Sequence, residues 1–246
     1  MYDNLKKKYG QNFLIDKNIL NKIANLIPQN YLKILEIGPG NGLLTSFILK
    51  KNPENLTIIE IDKDLIEILK NKFLNNNKLV VINLDFLKFD INIQFDVIIS
   101  NLPYYISSQI LVKIITSNFR PKKMIFMFQK EAANKIIENK LNSLNSLVKI
   151  FYKCKREFNV SNSCFKPIPK VESSVITFEK LDSPLLLNNE VKKFIEFKRM
   201  VFSKKRKQLK SILKVNDKLK KIEYLNKRAE ELEIYQLIEI FNFINQ

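Results

Sequence analysis

Short apolar runs and helix-period stretches take turns through the first three-quarters of the chain. KILEI (33–37), LTIIEI (56–61), KLVVI (78–82), FDVIIS (95–100) and KMIFMF (123–128) are short and continuous, the pattern of strands covered on both faces. Between them, residues 43–51, 62–74, 106–118 and 129–138 repeat apolar positions at intervals of three and four, the period of helices with one buried face. This alternation predicts βαβ units and a parallel sheet with helices on both sides, a doubly wound α/β fold of Rossmann-like type. A helix over 17–27 precedes the first strand. Two later β-rich segments, 147–160 and 171–179, are expected to close the sheet as an antiparallel pair.

After Leu181 the texture changes. Ser183-Pro184 interrupts the pattern, and the remainder is helix-prone and highly charged. Between Lys192 and Lys221 there are 13 basic residues and two acids, Glu196 and Asp217. The last 25 residues reverse the sign, with five glutamates against Lys227 and Arg228. The chain therefore divides into an α/β domain, 1–182, and a small C-terminal helical domain, 183–246.

The chain holds only four glycines, and three of them, Gly38, Gly40 and Gly42, fall in EIGPGNG (36–42), where a predicted strand gives way to a predicted helix. In a doubly wound sheet that turn borders the ligand crevice, and a backbone without side chains lets amides approach a bound group. A dinucleotide fingerprint would need glycine at position 43, which is Leu43. The spacing E-x-G-x-G-x-G instead resembles the motif of S-adenosylmethionine-dependent methyltransferases. Glu36 would then accept from the amino-acid end of that cofactor. Glu60, at the end of the next strand, suits the ribose hydroxyls, and Asp85, just past the third, suits the adenine amine. Asp62 reads as a helix cap. Any one of these carboxylates could equally be a cap or a solvated loop residue; three in register after three successive strands argue for a site.

The fourth strand runs directly into NLPYYIS (101–107), similar to the motif of amino-group methyltransferases. An adenine N6 lone pair is delocalised and weakly nucleophilic. The Asn101 side-chain oxygen and the Leu102 carbonyl can accept its two N–H bonds and turn the lone pair towards a sulfonium methyl. Pro103 sets the backbone, and Tyr104 offers a flat face to an extruded base. Catalysis of this kind is mainly positioning.

Composition narrows the partners. Lys and Arg number 42 against 25 acids, a net charge of +17, which points to a polyanion, although the abundance of Lys, Asn and Ile is also what an A+T-rich coding bias produces. The charge is localised in FKRMVFSKKRKQLKSILK (197–214), with apolar residues at helical spacing. A helix there would pack one face and present Lys204, Lys205, Arg206, Lys207 and Lys210 to RNA phosphates, or simply to solvent. No apolar run reaches the ~18 residues of a membrane span, and the basic start lacks the hydrophobic segment of a secretory signal. Cys154 and Cys164 are the only cysteines and there are no histidines, so neither a metal site nor a histidine base is expected, and a reduced, cytoplasmic protein is.

Six ordered segments, KKYGQNFLID (7–16), ILEIGPGNG, NLPYYIS, MFQKEAANKI (127–136), CFKPIPKVESSV (164–175) and FSKKRKQL (202–209), resemble the ribosomal RNA adenine N6-dimethyltransferases across nearly the whole chain. They are most similar to the bacterial small-subunit branch linked to kasugamycin sensitivity. The resemblance implies an RNA-binding transferase that uses S-adenosylmethionine in rRNA processing and ribosome biogenesis. Its products would be dimethylated N6 atoms on two adjacent adenines near the 3′ end of 16S rRNA, in a pre-30S particle late in assembly. By matching position, the cofactor would contact Asn12, Leu14, Gly38, Glu60, Asp85 and Asn101, with Gln11 close by. Phe165 would stack on the target base opposite Tyr104, although a phenylalanine beside Pro167 and Pro169 is equally compatible with plain packing. A monomer without metal is expected.

The sequence departs from the family at Tyr105, where Asn is usual, at Ile168, where Pro is usual, and at Leu84 and Asn142, where Gly is common. Asn tolerates left-handed backbone geometry, so position 142 is expected to be a mild change. Two rivals stand beside the reading: a 23S rRNA adenine dimethylase of the erythromycin-resistance type, and a non-catalytic nucleic-acid-binding assembly or transcription factor on the same fold.

Overall fold

A computed structural model describes residues 12–29, 33–213 and 222–245. The expected strands form with small shifts: β1 is Phe13–Leu14, followed by β2 (Lys33–Ile37), β3 (Asn55–Glu60), β4 (Leu79–Asn83), β5 (Val97–Asn101) and β6 (Lys123–Gln129). The intervening helices are α1 (Lys17–Asn25), α2 (Leu43–Leu49), α3 (Lys63–Lys72), α4 (Ser107–Thr116) and α5 (Lys130–Ile137). Local chemistry explains their starts. Asp16 accepts from the Ile19 N–H (2.9 Å) to cap α1, and Asp62 accepts from the Asp64 N–H (3.2 Å) to cap α3.

The main sheet has seven strands in the order β4-β3-β2-β5-β6-β9-β7, where β7 is Tyr152–Val160 and β9 is Ser173–Lys180. The pairs β3–β4, β2–β3, β2–β5 and β5–β6 are parallel, and β6 pairs antiparallel with β9. The chain winds outward from β2 through β3 to β4 and then returns to β5 on the other side of β2. That reversal opens a crevice beyond the carboxyl ends of β2 and β5, where ligands bind in doubly wound sheets. Alternate strand positions Ile34, Leu56, Ile58, Val97 and Ile99 share one core with Leu20 and Ile23 of α1 and Leu44 and Ile48 of α2. A separate two-stranded ribbon joins β1 antiparallel to β8 (Phe165–Lys166), with Leu14 opposite Phe165.

Three expectations change. The segment 147–160 is not continuous strand: α6 (Asn145–Phe151) precedes β7. Leu147, Val148, Ile150 and Phe151 are all buried, so an apolar run here carries no period that separates helix from strand. Asn142 is not left-handed; Asn52 is the one non-glycine residue with positive φ among the described residues. Instead the Asn142 Oδ1 accepts from the N–H groups of Leu144 and Asn145 (2.9 Å each), just ahead of α6. The basic segment is not one helix to residue 214, because α7 (Val191–Ser203) ends before it. Lys204 leaves helical geometry at φ −111 and ψ 60, at the first of four consecutive cations, 204–207. Leu209 is then buried in a short 3₁₀ turn, its N–H donating to the Lys227 carbonyl (3.0 Å).

The chain divides into two compact units: Met1–Ala133 with Cys154–Lys180, and Asn134–Lys153 with Leu181–Gln246. This division places 134–153 with the C-terminal residues, where a boundary at 182 alone would not. That segment is bound into the C-terminal helices: Leu141 N–H donates to Glu230 O (3.2 Å), and α6 packs on α8 (Ile234–Asn245). In the same unit Phe194, Phe197 and Phe241 meet at centroid distances of 5.3–6.0 Å. Among the described residues no helix is long and apolar enough to cross a membrane.

Candidate active site

Parallel strands end on the same side of a sheet, and this brings remote residues together. Glu36 lies near the end of β2, Glu60 and Asn101 close β3 and β5, and Asp85 sits two residues past β4. All four line one cavity of about 220 Å³, together with Asn12, Leu14, Gly38, Gly40, Leu102, Pro103 and Tyr104. Three expected residues are not part of that wall as described. Gln11 lies outside the described residues. Gly42 starts α2, and a Cβ there would stand 2.7 Å from Leu69 Cδ2, so it serves helix packing. Phe165 is 1% exposed, in β8 against Leu14, and belongs to the core.

The two remaining glycines of the turn answer different demands. Gly40, at φ +61, sits under the Phe13 ring: an added Cβ would fall 2.7 Å from Phe13 Cε1. Gly38, at φ +64, has nothing within 4 Å of where its Cβ would be. The space before Gly38 is therefore open and not a packing contact. Lys72 of α3 steadies the turn by donating from Nζ to the carbonyls of Asn41 (3.1 Å) and Gly42 (2.9 Å). Burial lowers the Lys72 pKa, while Glu36 acts to raise it.

The carboxylates differ in their surroundings. Glu36 is 1% exposed and accepts from the Thr45 hydroxyl (2.6 Å). Burial pushes its carboxyl up to about 8; the Thr45 hydrogen bond works against this and the charge of Glu60 works with it. Glu60 is raised too, again by burial, with three backbone bonds opposing. Its Oε2 accepts from Gly40 N–H (3.1 Å) and its Oε1 from Ile61 and Asp62 N–H (2.9 and 3.0 Å). A carboxylate offers about four lone-pair sites, so one on Oε2 is left for a ligand. Asp85 accepts from the Leu87 N–H (2.9 Å) through Oδ1 and so caps a short turn. Glu60 and Asp85 both combine the structural and the ligand-facing positions that the sequence set against each other.

Asn101 is oriented by the chain's N-terminal segment. Its Nδ2 donates to the backbone carbonyl of Asn12 (3.2 Å), which turns Oδ1 away from that carbonyl as the amide's acceptor. Leu102 and Pro103 follow in the wall, and Ser107 Oγ donates to the Tyr104 carbonyl (3.0 Å). Tyr104 is half-buried, with its hydroxyl 2.7 Å from Ser173 Oγ. Tyr105 next to it is 60% exposed at the same cavity.

Sequence reasoning missed Phe13, Ile61, Leu84, Phe86 and Ile106 as cavity walls. A usable signal existed, since Ile61 and Phe86 directly follow strand-end acids. Thr45 and Ser173 had no such signal. In the other unit, Lys204, Lys205, Arg206, Lys207 and Lys210 are all exposed. Arg206 and Lys207 line a polar depression with Lys227 and Arg228, the two cations of the acidic tail.

A doubly wound sheet, a side-chain-free backbone facing open space, acids at successive strand ends and apolar walls fit S-adenosylmethionine; the fold and site are those of a methyltransferase that uses this cofactor. The chain belongs to the ribosomal RNA adenine dimethylase family, whose model matches residues 2–246. It is 40% identical to the ribosomal RNA small subunit methyltransferase A of Mycoplasma capricolum over 97% of both chains. It is 39% identical to the protein of the same name from Pelagibacter ubique over 85% of this chain and 83% of that one. Among solved structures, a dimethyladenosine transferase from Plasmodium falciparum superposes with a TM-score of 0.82 at 29% identity, covering 95% of this chain and 98% of that one. The 23S rRNA methyltransferase ErmE gives 0.78 at 23% identity over 95% and 100%, a likeness of fold.

Proposed function

We propose that the protein methylates N6 of two adjacent adenines in the 3′-terminal hairpin of 16S rRNA to the dimethyl form, acting as a monomer without metal on a pre-30S particle late in assembly. The observation that carries the reading is the Asn101 amide, held by Asn12 in the same cavity as Glu36, Glu60 and Asp85. The name shared by relatives that cover nearly the whole chain supports the small-subunit substrate.

S-adenosylmethionine supplies a methyl group on a cationic sulfur. Glu60, with its remaining lone pair, and Asp85 would hold the cofactor's nucleoside, and the bare backbone at Gly38 makes room for it. The Asn101 Oδ1 and the Leu102 carbonyl accept hydrogen bonds from the two N6 N–H groups of a flipped adenine and aim its lone pair, while Tyr104 stacks on the base. The N6 lone pair would take the methyl group as the C–S bond breaks, the sulfur would leave as a neutral thioether, and the N6 proton would pass to solvent. With no histidine in the chain, the rate gain rests on alignment. The exposed cations at 204–207 and 210 contact RNA phosphates, which fixes orientation more than sequence choice.

The test is methyl transfer from labelled S-adenosylmethionine to 30S particles that lack the modification, read by mass spectrometry of the digested RNA. Dimethyladenosine at two adjacent 16S positions is the expected product. Label on 23S RNA instead would assign the protein to the resistance type. Particle binding with no label would leave a non-catalytic binding factor.

A further inference from the structure

The PKVESSV stretch, 169–175, has so far supplied only a sheet strand. Its Ser173 is 0% exposed, the first residue of β9, and lies opposite Gln129 in the β6 register. The Ser173 hydroxyl nonetheless reaches the Tyr104 hydroxyl at 2.7 Å, across 69 residues of sequence. Tyr104 is held at its other end as well, since its carbonyl accepts from Ser107 Oγ (3.0 Å). A tyrosine side chain turns about two torsions. With the backbone set by Pro103 and the phenol tied to a buried strand, both are restrained. Burial raises the Tyr104 pKa, so the phenol keeps its proton and the hydrogen bond persists at neutral pH. Neighbouring bonds stiffen the anchor: Ser174 Oγ donates to Asn159 Oδ1 (2.7 Å), and Lys130 N–H donates to the Glu172 carbonyl (2.9 Å).

We propose that Ser173 is a positioning residue for methyl transfer, which fixes the pitch of the Tyr104 ring through a hydroxyl–hydroxyl bond and so sets where the flipped adenine presents N6. The proposal rests on the reading of Tyr104 as the ring that faces the base. Its effect should be larger on the second transfer than on the first. An N6 that already carries a methyl must be turned so that its single remaining proton is accepted and its lone pair again faces the cofactor. A ring free to swing tolerates the smaller amino group better than the bulkier methylamino group.

The experiment compares Tyr104→Ala, Tyr104→Phe, Ser173→Ala and the Tyr104→Phe/Ser173→Ala pair on unmodified 30S particles. It reads kcat, KM for the particle, S-adenosylmethionine affinity and the ratio of mono- to dimethyladenosine. Ser173→Ala and Tyr104→Phe should each lower kcat roughly three- to tenfold, the range of one lost neutral hydrogen bond. Cofactor affinity should stay constant and the monomethyl fraction should rise. The pair should behave like either single variant. A purely structural Ser173 would lower the active fraction and leave the product ratio untouched; that result overturns the proposal. So does a pair whose losses multiply. Should Ser173→Ala fail to fold, Tyr104→Phe removes the same bond with β9 intact, and an unchanged product ratio in that variant is refutation enough. If Tyr104→Ala itself transfers methyl groups normally, the reading of Tyr104 falls, and this proposal with it. If Tyr104→Ala is crippled while Tyr104→Phe and Ser173→Ala are normal, only the role of Ser173 falls.

Discussion

Replacing Glu36 with glutamine should make the cofactor-free protein progressively more stable relative to the wild type as pH rises from 6 to 8. Glu36 is 1% exposed, and its carboxyl is raised by burial from 4.5 to about 8. Between those values the folded protein keeps a proton that the unfolded chain has lost. Stability therefore falls as pH rises through this window, by about 1.4 kcal/mol per pH unit at most. Glutamine is close in shape, can still accept from Thr45, and does not titrate. The difference between variant and wild type should thus grow by roughly 2 kcal/mol from pH 6 to pH 8, and then level off. For a chain of this length that corresponds to a widening of roughly 4–8 °C in Tm. Thermal melts of both proteins across pH 6–9, without S-adenosylmethionine, provide the measurement. Glu60 is raised in the same direction and is present in both proteins. Melting temperatures that move in parallel across the range would refute the idea that Glu36 is protonated in the free enzyme.

Asn101→Ala removes the acceptor proposed for N6 and should cut kcat by about 10²–10³, the range for loss of one preorganised polar contact, with cofactor affinity within a few-fold by calorimetry. Gly40→Ala forces a Cβ to 2.7 Å from Phe13 Cε1 at φ +61; urea unfolding should report a loss of about 1–2 kcal/mol, and cofactor affinity should fall as β1 is displaced. Lys198 is lowered by burial to about 8, with Arg199 adding to the shift, while its Nζ donates to Ser143 O (2.7 Å) and Oγ (3.1 Å). The folded protein gives up that proton below the pH at which the unfolded chain does, so stability rises from pH 8 towards 10.5, opposite in sign to Glu36. Lys198→Met should flatten that limb in thermal melts.

The strand ends were legible because short continuous apolar runs alternate with stretches of helical period. Continuous apolar runs marked β2 to β6, and parallel strands put Glu36, Glu60, Asp85 and Asn101 on one side whatever the helices between them do. The turn glycines were legible as a group but not in their separate tasks. Gly38 faces open space, Gly40 makes room for Phe13 and Gly42 for Leu69, and those neighbours come from different elements. The stretch at α6 misled because a segment buried all round has no period. The segment 197–214 misled in the opposite way: its apolar residues have helical spacing, yet α7 ends at Ser203.

By itself, the sequence determined the fold class, the place of the glycine turn and the strand-end positions of Glu36, Glu60, Asp85 and Asn101, since each depends on residues adjacent in the chain or on a repeat along it. Tertiary structure alone decided the rest. It turned the Asn101 amide with a carbonyl 89 residues away, tied Tyr104 to Ser173 across 69, moved Phe165 into the core and joined 134–153 to the C-terminal unit. A hydrogen bond or a packing contact is made by whatever the fold brings within about 3–4 Å, and separation along the chain carries no trace of it.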